Sequence, residues 1–363
     1  MKDENRSRLV LVDAIKGLCI IMIILTHVST IPQSMKKVIL YPFTILPAVP
    51  CFLMLSSYIY TYIEGKTDAD EWLWKWFDAR RFGKRIHRLL VPYVISLLVL
   101  FAGLHLFKGV QHISPKTIWL TFLQGGRGPG GYYVVVAFGF LALFPFLRLI
   151  LDHHPLEGAV CMLLIHIAFE AMCIHVWTIS DKLYPRLVFH YLTQFTLGCL
   201  LFKYREKLSK SALPAVCMFV GAAYMIGLYY LDYQQILILS SATQSILPSI
   251  GVFGTLCYVL SAEKWAKAHE RLLLPLCFFG RASWHILLTQ EVYYYFARLF
   301  KAEARMGNLA VIILTDLLIC LSVGALFYVL DERFRRFWRR LQSKGENTSN
   351  TSKKMQVMNT EKY

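Results

Sequence analysis

Long apolar runs constrain the fold of this chain more than any other feature of its sequence. A bilayer-spanning helix needs about 20 predominantly apolar residues. Ten such runs follow one another, at residues 14–31, 39–62, 89–107, 131–150, 158–178, 187–203, 213–231, 244–262, 272–297 and 308–330. The 363 residues are 56% hydrophobic and 17% charged, which is too apolar for a soluble protein of this length. The sequence therefore predicts an all-α fold, a polytopic transmembrane helical bundle of about ten spans.

The distribution of lysine and arginine predicts the orientation of the bundle. Segments on one side of the runs hold 28 of these residues and segments on the other side hold 10, with Arg281 inside the ninth run. The richer side is expected to face the cytoplasm, which places both termini there. Residues 1–13 then form a cytoplasmic N-terminus, 14–330 the transmembrane domain, and 331–363 a basic tail whose composition predicts disorder from about residue 343. Because the net charge of +16 is spread over short loops, we expect membrane lipids and no nucleic acid as partners.

Three ionisable side chains mark the first run: Asp13 directly before it, and Lys16 and His27 within it. Lys16 and His27 are eleven residues apart, which is three helical turns plus about 20°, so they share one face about 16 Å apart along the axis. Asp13 lies within roughly 40° of the same direction. Such groups are costly in hydrocarbon, so the face they form is expected to meet a protein interior or a watery cavity.

His27 is the first candidate for catalysis. An imidazole can take a proton from a hydroxyl near neutral pH, as general base catalysis requires. A lone histidine on an apolar face is more often a core residue whose hydrogen bonds are satisfied. The presence of Asp13 and Lys16 on the same face favours the functional interpretation.

A basic cluster on the cytoplasmic side, just before the third run, is the second candidate. It contains Lys84, Arg85 and Arg88. The two arginines are three residues apart on one helix face, where their guanidinium groups could hold phosphates in a bidentate way. A simple positive anchor at the membrane edge would have the same composition, so both interpretations stay open.

A glycine-rich segment on the outer side, residues 125–131, leads into Tyr132 and Tyr133. It is not a phosphate-binding loop, because no Lys-Ser/Thr pair follows the glycines and no strand precedes them. The segment is expected to turn the chain into the fourth run and to place the tyrosines at the membrane interface. Tyrosine rings also stack on sugar rings, so a role in binding an acceptor is open.

Further ionisable residues lie inside later runs. Glu170 follows His166 by four residues in the fifth run, Glu291 shares the ninth run with Arg281, and Asp316 lies in the tenth. Each of them can be explained by pairing between helices. The nine cysteines fall almost entirely inside apolar runs and show no zinc-type spacing, so they are expected to fill helix contacts, and no metal is expected.

In this order, the segments resemble the integral-membrane acyltransferase-3 family, the polytopic O-acetyltransferases of bacterial surface polysaccharides and related glycans. The resemblance covers most of residues 8–330. It is carried by Asp13, Lys16-Gly17 and His27 in the first run, Pro50 and Phe52 in the second, Arg85-x-x-Arg88 before Leu89-x-x-Pro92-Tyr93, Phe195-x-x-Gly198 in the sixth, and Gly280-x-x-Ser283 in the ninth.

The resemblance implies a membrane O-acyltransferase of the inner or plasma membrane. Its donor would be acetyl-CoA or another acyl-CoA, and its acceptor a hydroxyl of a cell-surface glycan or of the lipid-linked saccharide precursor. His27 would be the catalytic residue, with Asp13 and Lys16 setting the electrostatics of the passage. The expected donor-binding residues are Lys84, Arg85 and Arg88, and the expected acceptor-binding residues are Tyr132, Tyr133, Glu170 and Gln290.

Two departures from the family pattern qualify these roles. Lys16 stands where arginine is usual, which keeps the charge but loses the bidentate fork. Gln290 stands where a histidine is common, so this position cannot transfer a proton. A glycan or lipid transporter without acyl transfer is the alternative, although transporters more often show inverted repeats and interrupted helices. A non-catalytic scaffold on the same fold is a third class.

Overall fold

The computed structural model of the protein describes residues 9–28, 31–64, 75–108, 114–180, 183–230 and 246–360, with only the backbone described for Ile174 and for residues 339–360. The segment 232–243, which the sequence leaves open as a loop or part of a broken span, lies outside these residues. Ten long helices correspond one to one with the ten predicted spans: α1 Val10–Thr26, α2 Ala48–Glu64, α3 Ala79–Lys108, α4 Tyr132–His153, α5 Pro155–His175, α6 Leu192–Leu208, α7 Leu213–Tyr230, α8 Ile246–Val259, α9 Glu270–Leu299 and α10 Leu309–Thr360.

Within the described residues, short helices connect the long ones. Five of those described are α-helical, at Gln33–Val38, Tyr41–Thr44, Pro115–Leu123, Glu263–Ala268 and Ala302–Met306. Three described ones are 3₁₀ turns, at Tyr184–Arg186, Val188–Tyr191 and Leu260–Ala262. Because a bilayer offers no hydrogen-bond partners to the backbone, an apolar chain of this kind satisfies its N–H and C=O groups within helices.

Eight helical segments in the described part of the chain are long and apolar enough to cross a membrane. The all-α polytopic bundle is therefore confirmed. The predicted count of about ten is higher because it includes α1 and α6, which have 17 residues each and reach only about 26 Å at 1.5 Å per residue.

The first helix differs from its prediction in a way that affects the site. It runs from Val10 to Thr26 rather than over 14–31, and His27 is its C-cap rather than a residue deep in the span. The early start has a physical cause. The carboxylate of Glu263 accepts the backbone N–H groups of Val10 and Leu11 at 3.0 and 3.1 Å, which caps the helix from a distant segment.

Helices α1 and α9 touch backbone to backbone. A Cβ atom added at Gly17 would lie 2.0 Å from the carbonyl oxygen of Leu276, and one added at Gly280 would lie 1.9 Å from that of Asp13. Only glycine permits this approach, as at other small-residue contacts between membrane helices. The contact explains the structural part of the Lys16-Gly17 and Gly280-x-x-Ser283 motifs and fixes α1 against α9.

The last helix continues well beyond its predicted span. It has 52 residues from Leu309 to Thr360, about 78 Å, whereas composition predicts disorder from about residue 343. Lysine, glutamate and glutamine are enriched in disordered tails but are also good helix formers, so composition does not separate the two states here.

Candidate active site

His27 lies where the end of α1 meets α9. Its ring contacts the ring of Tyr294 edge-on, with 5.4 Å between the centroids. The hydroxyl of Tyr294 donates to the carbonyl oxygen of Ile24 at 3.0 Å and to Asp316 Oδ2 at 3.1 Å. Tyr293 donates to the other oxygen of Asp316 at 2.6 Å. Helices α9 and α10 thus hold the tyrosine against which the imidazole packs.

The glycine-rich segment folds onto α9 next to His27. Glu291 Oε1 accepts the backbone N–H groups of Arg127 and Gly128. An added Cβ at Gly128 would lie 1.8 Å from the carbonyl oxygen of Glu291, so the loop lies directly on the helix. The expected turn into α4 is present, and a buried carboxylate fastens it. The sequence suggested that Glu291 and Arg281 pair with groups on other helices, but Arg281 is exposed and Glu291 is bound by the loop.

Gly130 is the residue of this loop that lies next to His27. An added Cβ at Gly130 would lie 3.5 Å from His27 Nε2 and 3.6 Å from Gln290 Nε2. The glycine has a φ of +90°, a conformation that other residues rarely adopt. The absence of a side chain therefore leaves a small space bounded by an imidazole nitrogen and an amide nitrogen.

Gln290 supplies an unused polar group at this space. Its side chain is fully buried, and neither its Nε2 nor its Oε1 has a hydrogen-bond partner among the described residues. Buried polar groups in native proteins are nearly always paired, so an unpaired amide beside His27 indicates a group that binds something else.

The N-terminal end of α1 carries the other two residues of the predicted stripe. The ammonium group of Lys16 lies over the ring of Phe52, 5.1 Å from its centroid, and within electrostatic range of Asp13 and Arg88. The ring of Tyr133 also packs against the ring of Phe52, with 5.6 Å between the centroids. The stripe therefore faces the protein interior, as predicted, with His27 about 16 Å further along the axis.

The three predicted donor-binding residues differ in their availability. Arg85 binds Glu64 Oε1 at 2.6 Å and stacks over the ring of Trp76 at 3.5 Å. Its guanidinium is thus already engaged, which the sequence did not predict. Lys84 and Arg88 are exposed on α3.

The predicted acceptor-binding residues do not form one group. Tyr132 stacks on Tyr191 with 6.4 Å between the centroids, and Tyr133 is buried. Glu170 belongs to a different cluster, in which it contacts His190 and Tyr184. Of the four, Gln290 is the one that the recorded distances place next to His27.

Sequence reasoning missed two residues of this site. Gly130 appeared only as part of a turn, because nothing local reveals that the loop returns to α1. Glu291 was noted as a buried acid but not assigned to the site. Its position directly after Gln290 was the available signal.

A cavity of about 410 Å³ lies elsewhere in the described structure. It lies between α1, α2, α7 and α8 and has an apolar lining that includes Met22, Pro47 and Met225. None of the predicted site residues lines it.

The arrangement at His27 suits transfer of a group to a hydroxyl. An imidazole can remove the proton, and an unpaired amide N–H within reach of the same space can stabilise negative charge that develops on an oxygen. Comparison with protein families gives the class of group. A family model described as an acyltransferase domain, that of acyltransferase-3, matches residues 10–340. Neither curated proteins nor solved structures give a significant match. With nearly its whole length matched, the chain belongs to the acyltransferase-3 family and is a membrane-embedded acyltransferase.

Proposed function

We propose that the protein transfers an acyl group, acetyl in the first instance, from acyl-CoA to a hydroxyl of a cell-surface glycan or of its lipid-linked precursor. The observation that carries the proposal is the space beside Gly130. A Cβ atom added there would lie 3.5 Å from His27 Nε2 and 3.6 Å from Gln290 Nε2, so both groups border the same space. A base and a hydrogen-bond donor that converge on one point are what transfer from a thioester to an alcohol requires.

The chemical step follows from these two groups. His27 takes the proton of the acceptor hydroxyl while the hydroxyl oxygen attacks the thioester carbonyl. The resulting oxyanion receives a hydrogen bond from the amide of Gln290. Collapse breaks the C–S bond, and the departing thiolate takes the proton back from His27. The products are the ester and free CoA, and no further reactant is needed because a thioester is already an activated acyl donor.

The donor would approach from the cytoplasmic end of the bundle. Lys84 and Arg88 are exposed there and can meet the phosphates of CoA. Arg85, held by Glu64 and Trp76, would shape this surface rather than bind phosphate in the arrangement described. The thioester end of the donor then has to reach roughly the 16 Å that separate Lys16 from His27 along α1.

The test is release of free CoA by the purified protein in nanodiscs, supplied with acetyl-CoA labelled in the acetyl group and with an oligosaccharide acceptor. We expect His27→Ala to lower kcat by about 10²- to 10⁴-fold, the usual contribution of a general base. Gln290→Ala should lower it by roughly 10²- to 10³-fold, as loss of an oxyanion donor does. His269→Ala, which changes an exposed histidine at the start of α9, is the matched control and should behave as wild type.

Arg88→Ala and Lys84→Ala separate the donor site from the chemistry. Both variants should raise KM for acetyl-CoA and leave kcat close to that of wild type. If wild type neither binds nor cleaves acetyl-CoA, the assignment of acetyl-CoA as donor is wrong. If His27→Ala turns over as fast as wild type, the assignment of His27 as general base is wrong. Movement of labelled saccharide across the membrane without ester formation would favour transport instead.

A further inference from the structure

Three buried side chains converge at one end of α5, away from the residues of the proposed chemistry. His166 and Glu170 lie one turn apart on α5, and His190 lies in the turn Val188–Tyr191. One nitrogen or oxygen atom from each lies within 4.8 Å of the others, and each residue is at most 2% exposed. We call this group the His–Glu–His cluster.

We propose that the His–Glu–His cluster binds a divalent transition-metal ion, Zn²⁺ in the first instance, through His166 Nε2, Glu170 Oε1 and His190 Nδ1. Two histidines and one glutamate are a ligand set that zinc uses, with the fourth position left to water or another group. Imidazole nitrogens favour such ions over Mg²⁺ and Ca²⁺, which prefer oxygen ligands.

One distance in the cluster matches an ion. A tetrahedral ion with bonds of about 2.1 Å keeps its ligand atoms roughly 3.4 Å apart, and His166 Nε2 and Glu170 Oε1 are 3.4 Å apart. His190 Nδ1 is in direct hydrogen-bond contact with the same Oε1. An ion would therefore bind by displacing the proton between these two atoms and separating them.

The surrounding groups orient the ligands. His166 Nδ1 lies 2.7 Å from Thr193 Oγ1, which turns Nε2 toward Glu170. The hydroxyl of Tyr184 donates to Glu170 Oε2, and Oε1 faces the two histidines. Metal-binding histidines and carboxylates commonly have such outer partners.

His190 completes the set from outside α5. Its Nδ1 faces Glu170, while its Nε2 is buried without a hydrogen-bond partner among the described residues. Nδ1 is therefore the nitrogen that the fold turns toward the other two ligands.

An ion here would fasten the turn before α6 to α5. This turn and the preceding one, Tyr184–Arg186, support the glycine-rich segment, because Arg186 Nε donates to the carbonyl oxygen of Gln124 at 2.9 Å and Tyr191 stacks on Tyr132. The role is therefore structural support of the loop that borders His27. It does not depend on which acyl donor or acceptor the protein uses.

The test is the metal content of the full-length protein, purified through a tag without histidines and measured by inductively coupled plasma mass spectrometry for zinc, iron, manganese, nickel and copper. Wild type should carry about one ion per chain. His190→Ala and Glu170→Gln should each lose at least about fivefold of that content. His175→Ala, which changes an exposed histidine at the end of the same helix, should keep it.

A second measurement covers variants that fold poorly. Wild-type protein treated with a zinc chelator should lose thermal stability and regain it on addition of Zn²⁺ but not Mg²⁺. Wild type without bound metal that also fails to take up micromolar Zn²⁺ would overturn the proposal, and so would a full ion content in both cluster variants. Acyl transfer is not the readout, so either result leaves the proposed function untouched.

Discussion

Gly130 links the conformation of one residue to the chemistry of the site. Its φ of +90° sets the course of the loop, and its missing side chain keeps the space between His27 and Gln290 open. Alanine at this position would add a methyl group in that space and strain the backbone by about 1–3 kcal/mol.

We therefore expect Gly130→Ala to lower kcat/KM for acyl transfer at least about tenfold, because the new Cβ stands where the reacting atoms must come together. Gly307→Ala is the matched control, since Gly307 also has a positive φ, +66°, but has nothing within 4 Å of an added Cβ. Both variants carry backbone strain, so only Gly130→Ala should lose rate per folded molecule in the CoA-release assay. Equal losses of rate in the two variants would mean that backbone strain, and not the position of the new Cβ beside His27, causes the effect.

Some of the residues discussed above could be singled out from the sequence, and others could not. His27 stands out because a titratable group in an apolar run is unusual, and Gln290 because it departs from the family pattern. The role of His190 was out of reach, since it lies 20 residues after Glu170 and only the turn before α6 brings the two together. The expectation that no metal binds came from cysteine spacing, which does not report on histidines brought together by the fold.

At the scale of helices, the packing of α1 on α9 decides where the site stands. The backbones meet at Gly17 and Gly280, so the relative position of His27 and Gln290 depends on a contact ten residues away along each helix. The sequence showed both glycines as motif positions but gave no partner for either. Partners could not be read from it, because helix periodicity defines a face and not what covers that face.

Gly280→Ala should destabilise the protein. Its Cβ would lie 1.9 Å from the carbonyl oxygen of Asp13, so the helices must separate, and overpacking of this kind costs about 1–3 kcal/mol. Gly83→Ala is the matched control in α3, where nothing lies within 4 Å of an added Cβ and alanine favours the helix by up to about 1 kcal/mol. Thermal unfolding in nanodiscs should show a lower Tm for Gly280→Ala and an unchanged or higher Tm for Gly83→Ala. A Tm unchanged in Gly280→Ala would mean that the helices do not meet this closely.

At the scale of the whole molecule, the ten predicted spans and the ten long helices agree because bilayer thickness acts directly on sequence length. The ends of the helices agree less well. The start of α1 is set by Glu263, which lies about 250 residues further along the chain, and no local signal records that contact.

Orientation is a prediction that belongs to this scale. With 28 of the basic residues on one side, a fluorescent protein fused to the C-terminus should fluoresce in the cytoplasm of a bacterial host. Alkaline phosphatase inserted after Lys301, between α9 and α10, should be active because the charge distribution predicts that this connection lies outside. The opposite pattern of reporter activity would mean that the bundle has the reverse orientation and that the space beside Gly130 lies toward the cytoplasmic side.

The meeting of α1 and α9 has a mechanical consequence. The two helices are joined once where Gly17 meets Gly280 and again where Tyr294 donates to Ile24, so they behave as one strut between the two faces of the membrane. We therefore expect α1 and α9 to stay fixed relative to each other during turnover. If the protein opens to admit a donor from one side and an acceptor from the other, the other helices should move relative to this rigid pair.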